Sequence, residues 1–517
     1  MALVPDELRG MAQRFPDRRA VVVDGNGSMT FAQWERRSNA IARGFVDLGI
    51  RPGDRVAILL ANEDAILCYV TYVAIQKAGG IAAPINSRLA RNEIAHILAN
   101  ARPTAIVAAG EQLSKVRDAS LDLKPRPLLI GPADSKNAHG RNISIDRALG
   151  DLEVFDDDTF QVPTSESDLA DLLYTSGTTG LPKGVASTHQ NVLSINVLAS
   201  ENEDGFLHAA PLGTVLGTYG TMIACLRLGL TNICLPMFST SRFAELIDDL
   251  RPGWLMLVPA HVHLLRESGA LDGVDTTSVK IVLFGSAPMP SESFRWLATR
   301  FSEALVMNAY SLTEAGDAAC LLSSDDALTR PGSVGKPIAG GAVRVVDEEG
   351  NHLAAHQIGE IVLRIRSGQR FYFDNPDATA QTWRDGWVHT GDLGYVDSDG
   401  FVYLVDRKHD MIIRGGFNVY SVEVENALYE HPAVLEAAVL GVVHPILGQD
   451  VVAIVRLVEG TSLDLEGLRT FLTDRLADFK QPRQLFFAEA PLPRTSLEKI
   501  DKSALRIALS LDGAPLT

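Results

Sequence analysis

The chain has 517 residues, with 47 Lys plus Arg against 64 Asp plus Glu, a formal charge of −17. That length exceeds what one hydrophobic core sustains, so the chain divides into domains. At 46% hydrophobic and 21% charged the composition excludes a disordered or collagen-like chain. The acidic balance removes the phosphate-backbone attraction behind non-specific nucleic-acid binding and leaves room only for a local basic pocket holding a small anion.

The opening residues, MALVPDELRGMAQRF, carry charge and proline where a secretory signal needs an apolar stretch. Thr30 followed by Gln33 makes a capping box, and Phe31, Trp34, Ile41, Phe45 and Leu48 recur at helical spacing until Gly49. Arg55-Val-Ala-Ile-Leu-Leu reads as a buried strand, Glu63 to Ala78 as a helix, and Gly79-Gly80 with Ile81-Ala-Ala-Pro as its stop and the next strand. Strand patterns recur at Thr104-Ala-Ile-Val-Ala and Lys280-Ile-Val-Leu-Phe, and this alternation predicts an α/β fold with largely parallel sheets. Gly150 to Ser167, with Asp156-Asp157-Asp158, reads as a solvated acidic linker. Ala209 to Leu226 is an 18-residue run free of charge and histidine, but Pro211, Gly213, Gly217 and Gly220 interrupt it; it reads as a buried segment lining a cavity rather than a membrane span. Past Asp406-Arg-Lys-His-Asp410, helix signals near Ser421–Tyr429 and Leu463–Leu476 enclose strands near Leu435–Val442 and Val451–Leu457, a small second domain behind a hinge. Cys68, Cys225, Cys234 and Cys320 are scattered with no CxxC pair, and no histidines stand at metal-ligand spacing, so a reducing, cytoplasmic compartment is expected.

The sharpest local signal is Tyr174-Thr-Ser-Gly-Thr-Thr-Gly-Leu-Pro-Lys-Gly-Val185. By composition alone it reads equally as a flexible loop, but its order lets backbone N–H groups and hydroxyls converge while Lys183 adds a point charge, which suits a polyphosphate. It departs from GxxxxGK[ST], since Pro182 precedes Lys183 and Gly184 follows it. No GxGxxG follows a strand convincingly, so dinucleotide binding has no support.

This stretch resembles the signature of the adenylate-forming superfamily, which comprises acyl-CoA synthetases, luciferases and peptide-synthetase adenylation domains. Further segments match the family in order: Gly285-Ser-Ala-Pro-Met-Pro290, Tyr310-Ser-Leu-Thr-Glu314, Trp387-Val-His-Thr-Gly-Asp-Leu-Gly394, Asp406-Arg-Lys-His-Asp-Met-Ile-Ile-Arg-Gly-Gly416 and Pro493-Arg-Thr-Ser-Leu-Glu-Lys499. The resemblance implies a large N-terminal domain of layered, mostly parallel sheets with helices (residues 1–406, binding ATP and the acyl group). A hinge at 407–409 and a small α+β C-terminal domain at 410–517, which rotates and carries the catalytic lysine, would follow.

It also implies roles. Thr175, Ser176, Gly177, Thr178, Thr179, Gly180 and Lys183 would hold the β- and γ-phosphates, and Glu314 with Thr175 would hold Mg²⁺, a hard cation that wants oxygen ligands. Tyr310 would stack on adenine, with Asn308 and the backbone about Ser286, Ala287 and Pro288 reading its edge and Ala309, Ser311, Leu312 and Thr313 completing the wall. Asp392 would accept from the ribose hydroxyls, Arg407 would contact ribose or phosphate, and Lys499 would bridge the carboxylate and the α-phosphate. Gly415 and Gly416 would line the tunnel for the pantetheine arm of coenzyme A. Gly213, Thr214, Gly217 and Gly285 would border the acyl pocket.

Three departures carry expectations. The hinge residue is His409 where the family usually has Asp or Lys, so rotation is expected to respond to pH near neutrality. The family's YG pair is Tyr310-Ser311, and Glu498 replaces the glycine before Lys499. A family PLFHxxG stretch is Pro211-Leu-Gly-Thr-Val-Leu-Gly217 here, so Gly213 and Thr214 are expected to open room for a bulky apolar acid: polycyclic, terpenoid or steroid-like, or a medium or long fatty acid. The expected activity is ATP-dependent formation of an acyl-adenylate and transfer to coenzyme A, with no nucleic-acid partner and no integral membrane association. Carrier-protein loading is the runner-up, followed by luciferase-type oxidation and a degenerate nucleotide-binding protein. The oligomeric state is left open, with a homodimer one option.

Overall fold

The computed structural model describes residues 3–133, 143–175, 181–195, 205–285, 291–495 and 499–512. It is a mixed α/β chain of two compact units. The first comprises Met1–Thr329, Pro337–Ala342 and Leu363–Val388, the second Arg330–Lys336, Val343–Val362 and His389–Thr517.

Two sheets build the first unit. In one, the strands Arg147–Ala148, Leu128–Gly131, Ala105–Ala108, Arg55–Leu59, Ile81–Pro84 and Leu169–Tyr174 run parallel in that spatial order, and Gly184–Thr188 and Phe371–Tyr372 then add antiparallel partners. In the other, Arg19–Val23, Thr231–Cys234, Gly205–His208, Trp254–Leu257, Ile281–Gly285 and Leu305–Leu312 are parallel, with Gly27–Thr30 antiparallel beside Arg19–Val23 and Asp317–Ser323 antiparallel beside Leu305–Leu312. Parallel strands are covered on both faces, and so read as continuous apolar runs. The helices Phe31–Asp47 and Ala65–Lys77 supply that cover, bringing Phe31, Trp34, Phe45, Tyr69 and Tyr72 into one core.

The predicted capping box forms: Gln33 N donates to Thr30 Oγ1 at 3.2 Å, and Thr30 N to Gln33 Oε1 at 2.8 Å. The helix expected over Glu63–Ala78 is Ala65–Lys77 behind a single 3₁₀ turn, Asn62–Asp64. The acidic segment after Gly150 is not a free linker. Arg43 donates to the carbonyls of Asp156 and Asp158 at 2.7 Å each, Asn39 to the Asp157 carbonyl at 3.0 Å and Arg37 to Glu153 at 2.6 Å, strapping it along Phe31–Asp47. Three of these four anchors are backbone carbonyls, which residue type does not reveal. The run Ala209–Leu226 folds into a buried π-helix, Leu216–Ile223, continued by Ala224–Leu228. Among the described residues no helix is long and apolar enough to cross a membrane.

In the second unit the residues Asp392–Val396 pair antiparallel with Val402–Arg407. Beyond them Phe417–Val419, Ile412–Arg414, Gly448–Leu457 and Val434–His444 form a sheet, with Gln484–Phe487 parallel to Gly448–Leu457. The helices Ser421–Tyr429 and Leu465–Leu472 cover it through Val424, Leu428, Leu468 and Leu472.

One buried histidine ties the fold to pH. His208 Nε2–H donates to Asn232 Oδ1 at 2.9 Å, and Nδ1 accepts from the Ala210 N–H at 3.2 Å, so the neutral ring is fully satisfied. Burial disfavours the charged ring, only partly offset by the Asn232 acceptor, so its pKa falls to about 4; a second proton would also take the lone pair that accepts from Ala210. Unfolded histidine titrates near pH 6.5, so as pH falls from about 6.5 to about 4 the unfolded chain gains a proton that the native state refuses. Stability from this group therefore drops by about 3 kcal/mol across that window and levels off below it. We expect the stability deficit of His208→Gln, measured by chemical denaturation, to be largest above pH 7 and to shrink by about that amount toward pH 4; a constant deficit contradicts this account.

Candidate active site

The strands Leu169–Tyr174 and Gly184–Thr188 are antiparallel, with Tyr174 opposite Gly184 and Asp171 opposite Ser187. Where these strands end, Thr175 N donates to the Lys183 carbonyl at 3.0 Å. The Tyr174 ring crosses Gly184, where a Cβ would lie 2.8 Å from the ring, and the Tyr174 hydroxyl donates to Asn100 Oδ1 at 2.8 Å. This explains a glycine where a P-loop has Ser or Thr. Ser176, Gly177, Thr178, Thr179 and Gly180 lie outside the described residues, as do Ser286, Ala287, Pro288 and Glu498.

Phe371–Tyr372 lies beside the hairpin, Tyr372 pairing with Val185. The Lys183 ammonium sits 5.2 Å from the centre of the Tyr372 ring, and the Tyr372 hydroxyl donates to Glu314 Oε1 at 2.6 Å. Burial first, and then the carboxylate, push the phenol's pKa far up, so it stays a donor. Glu314 occupies the four-residue turn 313–316 between Leu305–Leu312 and Asp317–Ser323, so it is not a helix N-terminal carboxylate. Tyr372 is thus in contact with both, the carboxylate at its hydroxyl and Lys183 over its ring. Glu314 has a second carboxylate oxygen beyond the one the Tyr372 hydroxyl occupies, a donor of the kind a hard cation such as magnesium takes.

The predicted adenine wall is the strand Leu305–Leu312. Asn308 and Ala309 pair with Phe284 and Gly285, a bulge separates Tyr310 from Ser311, and Leu312 and Thr313 lead into the turn. Tyr310 is buried and Ser311 is exposed, so the extra atoms of serine extend outward at the bulge.

In the second unit Arg407 Nε meets Asp392 Oδ1 at 2.5 Å, and Asp392 is 4% exposed. The two residues expected at the ribose are thus one ion pair. Next to them Asp406 accepts from Ser421 N and, at 3.0 Å, from Ser421 Oγ, capping the helix Ser421–Tyr429. His409 lies 3.4 Å from Asp410, but burial pulls its pKa below the ordinary value, with Arg407 and Arg506 adding to that. Its titration is therefore displaced to the acid side of the near-neutral range expected from sequence. Gly415 and Gly416, at φ +58° and +86°, form the two-residue turn between Ile412–Arg414 and Phe417–Val419, which requires positive φ at both positions. The Lys499 carbonyl accepts from Thr495 N at 2.7 Å, beside a bridge between Arg494 and Ile500.

The glycines of the expected acyl pocket need correcting. A Cβ on Gly213 would lie 2.4 Å from the Ile85 carbonyl carbon, one on Gly217 2.2 Å from the Pro211 oxygen, and one on Gly285 2.4 Å from the Ala309 oxygen. Backbone fills the space a side chain would have used, so these glycines allow close packing and do not open volume. Thr214 Oγ1 donates to the Pro211 carbonyl at 2.8 Å and accepts from Gly217 N at 3.0 Å, closing the turn into the π-helix. Gly220 is less confined, since a Cβ there would lie 3.2 Å from the Leu216 side chain and 3.8 Å from that of Met256.

Sequence reasoning passed over Tyr372, Arg370, Asp171 and Tyr219. Two faint signals existed: Asp171 is the one charged residue in the apolar strand Leu169–Tyr174, and Tyr219 sits at the centre of the charge-free run.

Residues 8–373 match the model of the AMP-binding enzyme family and residues 423–499 that of the AMP-binding enzyme C-terminal domain. The chain is 32% identical to a feruloyl-CoA synthase of an Amycolatopsis species, over 95% of this chain and 96% of that one. It is also 32% identical to the fatty acid–[acyl-carrier-protein] ligase ScoC of Streptomyces coeruleorubidus, over 96% and 94%. It superposes on ATP-bound MatB from Rhodopseudomonas palustris with a TM-score of 0.87 at 27% identity, covering 99% of both chains. The chain belongs to the AMP-binding, adenylate-forming superfamily, in its acyl-CoA synthetase-like branch. It is an acid–thiol ligase of the AMP-forming type, with ATP and coenzyme A as co-substrates.

Removing the donor that fixes Glu314 tests the geometry. Tyr372→Phe is expected to lower kcat/KM for ATP by about 10- to 100-fold in pyrophosphate exchange, the scale of one hydrogen bond to a charged group, and to raise the Mg²⁺ concentration required. A change under about twofold would remove Tyr372 from the site.

Proposed function

We propose that this chain activates a bulky, apolar carboxylic acid and passes it to the thiol of coenzyme A. A carboxylate oxygen bonds to the α-phosphorus of ATP and pyrophosphate leaves. The thiol sulfur then bonds to the acyl carbon, AMP leaves and the thiol proton passes to solvent. The observation that carries this reading is the placement of Lys183 and Glu314 about the Tyr372 ring at the mouth of the phosphate hairpin.

Two anions must meet in the first step, so positive charge and fixed donors set its rate. The 175–183 segment and Lys183 would grip the β- and γ-phosphates, and Asp392 with Arg407 would take the ribose side. Lys499 would neutralise the carboxylate and the α-phosphate as they approach. Glu314 and Thr175 would hold Mg²⁺, which when bound would draw charge from the departing pyrophosphate. Gly415 and Gly416 would line the thiol's path; among the described residues nothing lies within 4 Å of a Cβ built on Gly416. We retain 407–409 as the hinge between an N-terminal domain of 1–406 and a C-terminal domain of 410–517. Asp406, anchored on Ser421, and Arg407, paired with Asp392, bring two fixed points to that junction.

An apolar acid is favoured by the burial of the charge-free segment, whose Leu216 and Gly220 lie against Met256 of the strand Trp254–Leu257. Ferulate and a fatty acid are the acids in the names of the two relatives, and both are apolar in bulk. The name of the second also supports a carrier-protein thiol as the alternative acceptor, since carrier and coenzyme A present the same pantetheine arm.

The test is pyrophosphate release and thioester formation with acetate, dodecanoate, ferulate and cholate, with and without coenzyme A. Turnover of the bulkier acids to thioester, little turnover of acetate, and loss of adenylation by about 10²–10³ in Lys499→Ala are expected. Pyrophosphate without thioester would transfer the reading to a carrier protein. No pyrophosphate with any of these acids would overturn it.

A further inference from the structure

The phosphate hairpin contains a buried charge that the proposed chemistry does not use. Asp171 is 0% exposed, one strand position from apolar Ala170 and Leu172 on either side. Its Oδ2 accepts from the Tyr72 hydroxyl at 2.5 Å and its Oδ1 from the Tyr219 hydroxyl at 2.7 Å. Tyr219 Oη also lies 3.0 Å from Ser187 Oγ, and Ser187 Oγ accepts from Arg370 Nε at 3.0 Å. Each hydroxyl has a single proton. The shorter contact assigns the Tyr219 proton to Asp171, so Ser187 donates to Tyr219 and Arg370 donates to Ser187.

The result is a directed chain from a buried guanidinium through two hydroxyls to a buried carboxylate. Arg370 is 1% exposed and Ser187 1%, so water does not compete along it. Burial pushes the Asp171 pKa up to about 6, against the two phenols and the Arg370 charge, which leaves it ionised at neutral pH.

The remaining donors of Arg370 fix the turn that carries Glu314. Nη1 donates to the Ala315 carbonyl at 2.6 Å and to Ser367 Oγ at 2.9 Å, and Nη2 to the Asn191 carbonyl at 3.3 Å. Gly316, at φ +67°, packs so closely that a Cβ would lie 2.4 Å from the guanidinium carbon. Two residues after Arg370, Tyr372 holds Glu314 itself. Asp171 and Ser187 oppose each other three positions from the hairpin ends at Tyr174 and Gly184, about 10 Å along the strands. Tyr219 belongs to Leu216–Ile223, a π-helix eight residues long. That form is rare over more than a single bulge and is found mostly at functional sites.

We propose that Arg370, Ser187, Tyr219 and Asp171 are positioning residues that couple the acyl-side helix to the phosphate hairpin and the Glu314 turn, so that acid and Mg²⁺–ATP bind cooperatively. The inference rests on the reading above, in which Leu216–Ile223 borders the acid and the hairpin with Glu314 holds the nucleotide. A buried ion pair kept for stability alone would be replaceable by apolar side chains at no loss. This one reaches a different ligand-bearing element at each link, and a rigid link with two ends transmits displacement between them.

The experiment is a titration of the whole chain with Mg²⁺ and α,β-methylene-ATP, a nucleotide that cannot be cleaved at the reacting bond. Dodecanoate, ferulate and cholate are each titrated in its presence and absence. In the wild type the nucleotide is expected to tighten the acid by about 5- to 50-fold, and the acid to tighten the nucleotide by the same factor. Tyr219→Phe and Ser187→Ala, which each remove one hydroxyl, should cut that ratio to about twofold or less while the thermal midpoint shows a folded protein. Arg370→Lys should keep more of the coupling than Arg370→Met.

Wild-type coupling in folded Tyr219→Phe and Ser187→Ala overturns the proposal, and so does a wild type in which the two ligands bind independently. If the acids turn over and the coupling ignores these variants, the synthetase reading stands and the relay falls. If neither nucleotide nor acid binds the wild type, the synthetase reading fails and the relay falls with it.

Discussion

The site depends on one break in sheet direction. Five parallel strands lead to a sixth, Leu169–Tyr174, and the next strand, Gly184–Thr188, reverses. A parallel neighbour would need a helical crossover, whereas an antiparallel one needs only a loop, so the polypeptide can hold a short Gly/Ser/Thr segment at a sheet end with both its ends pinned. The closure between Thr175 and Lys183 fixes the base of that segment, and the third strand, Phe371–Tyr372, sets a phenol against it. Lys183, Tyr372 and Glu314 come from three distant parts of the chain and meet because this reversal leaves one sheet edge for them.

The fold was legible where a local rule suffices. The capping box at Thr30 and Gln33, the buried strand Arg55–Leu59 and the helix Ser421–Tyr429 each follow from residue type and spacing. The strap after Gly150 was not, because Arg43 grips carbonyls that every residue has. Thr175, Lys183 and Glu314 could be named from motifs. Tyr372 could not, since its function is a tertiary contact with a carboxylate 58 positions away.

Glycine shows how a position can have a physical reason other than the one the sequence suggests. At Gly213, Gly217 and Gly285 a missing side chain reads from sequence as free volume, yet each Cα hydrogen faces backbone at a distance no Cβ tolerates. Glycine there allows two main-chain segments to touch, which is the opposite of a cavity. At Gly415 and Gly416 the need is conformational, two successive positive φ values in a hairpin turn. Steric and dihedral demands leave the same letter in the sequence, and only coordinates separate them.

The same distinction governs the buried charges. Lys77, also fully buried, donates to Glu35 Oε2 at 2.7 Å and to Asn39 at 2.5 Å, and that cluster joins helices on the far side of the core. Its bonds are met within the packing of Phe31–Asp47 against Ala65–Lys77, and stability accounts for it. The Arg370 to Asp171 chain instead spends two hydroxyls to connect charges that could have paired directly, a less favourable arrangement for stability alone, because each hydroxyl must also be desolvated and oriented. What the longer path adds is contact with Tyr219 on one side and the Ala315 carbonyl on the other. A direct pair would satisfy the charges, whereas the extended chain also ties the helix Leu216–Ile223 to the turn that carries Glu314.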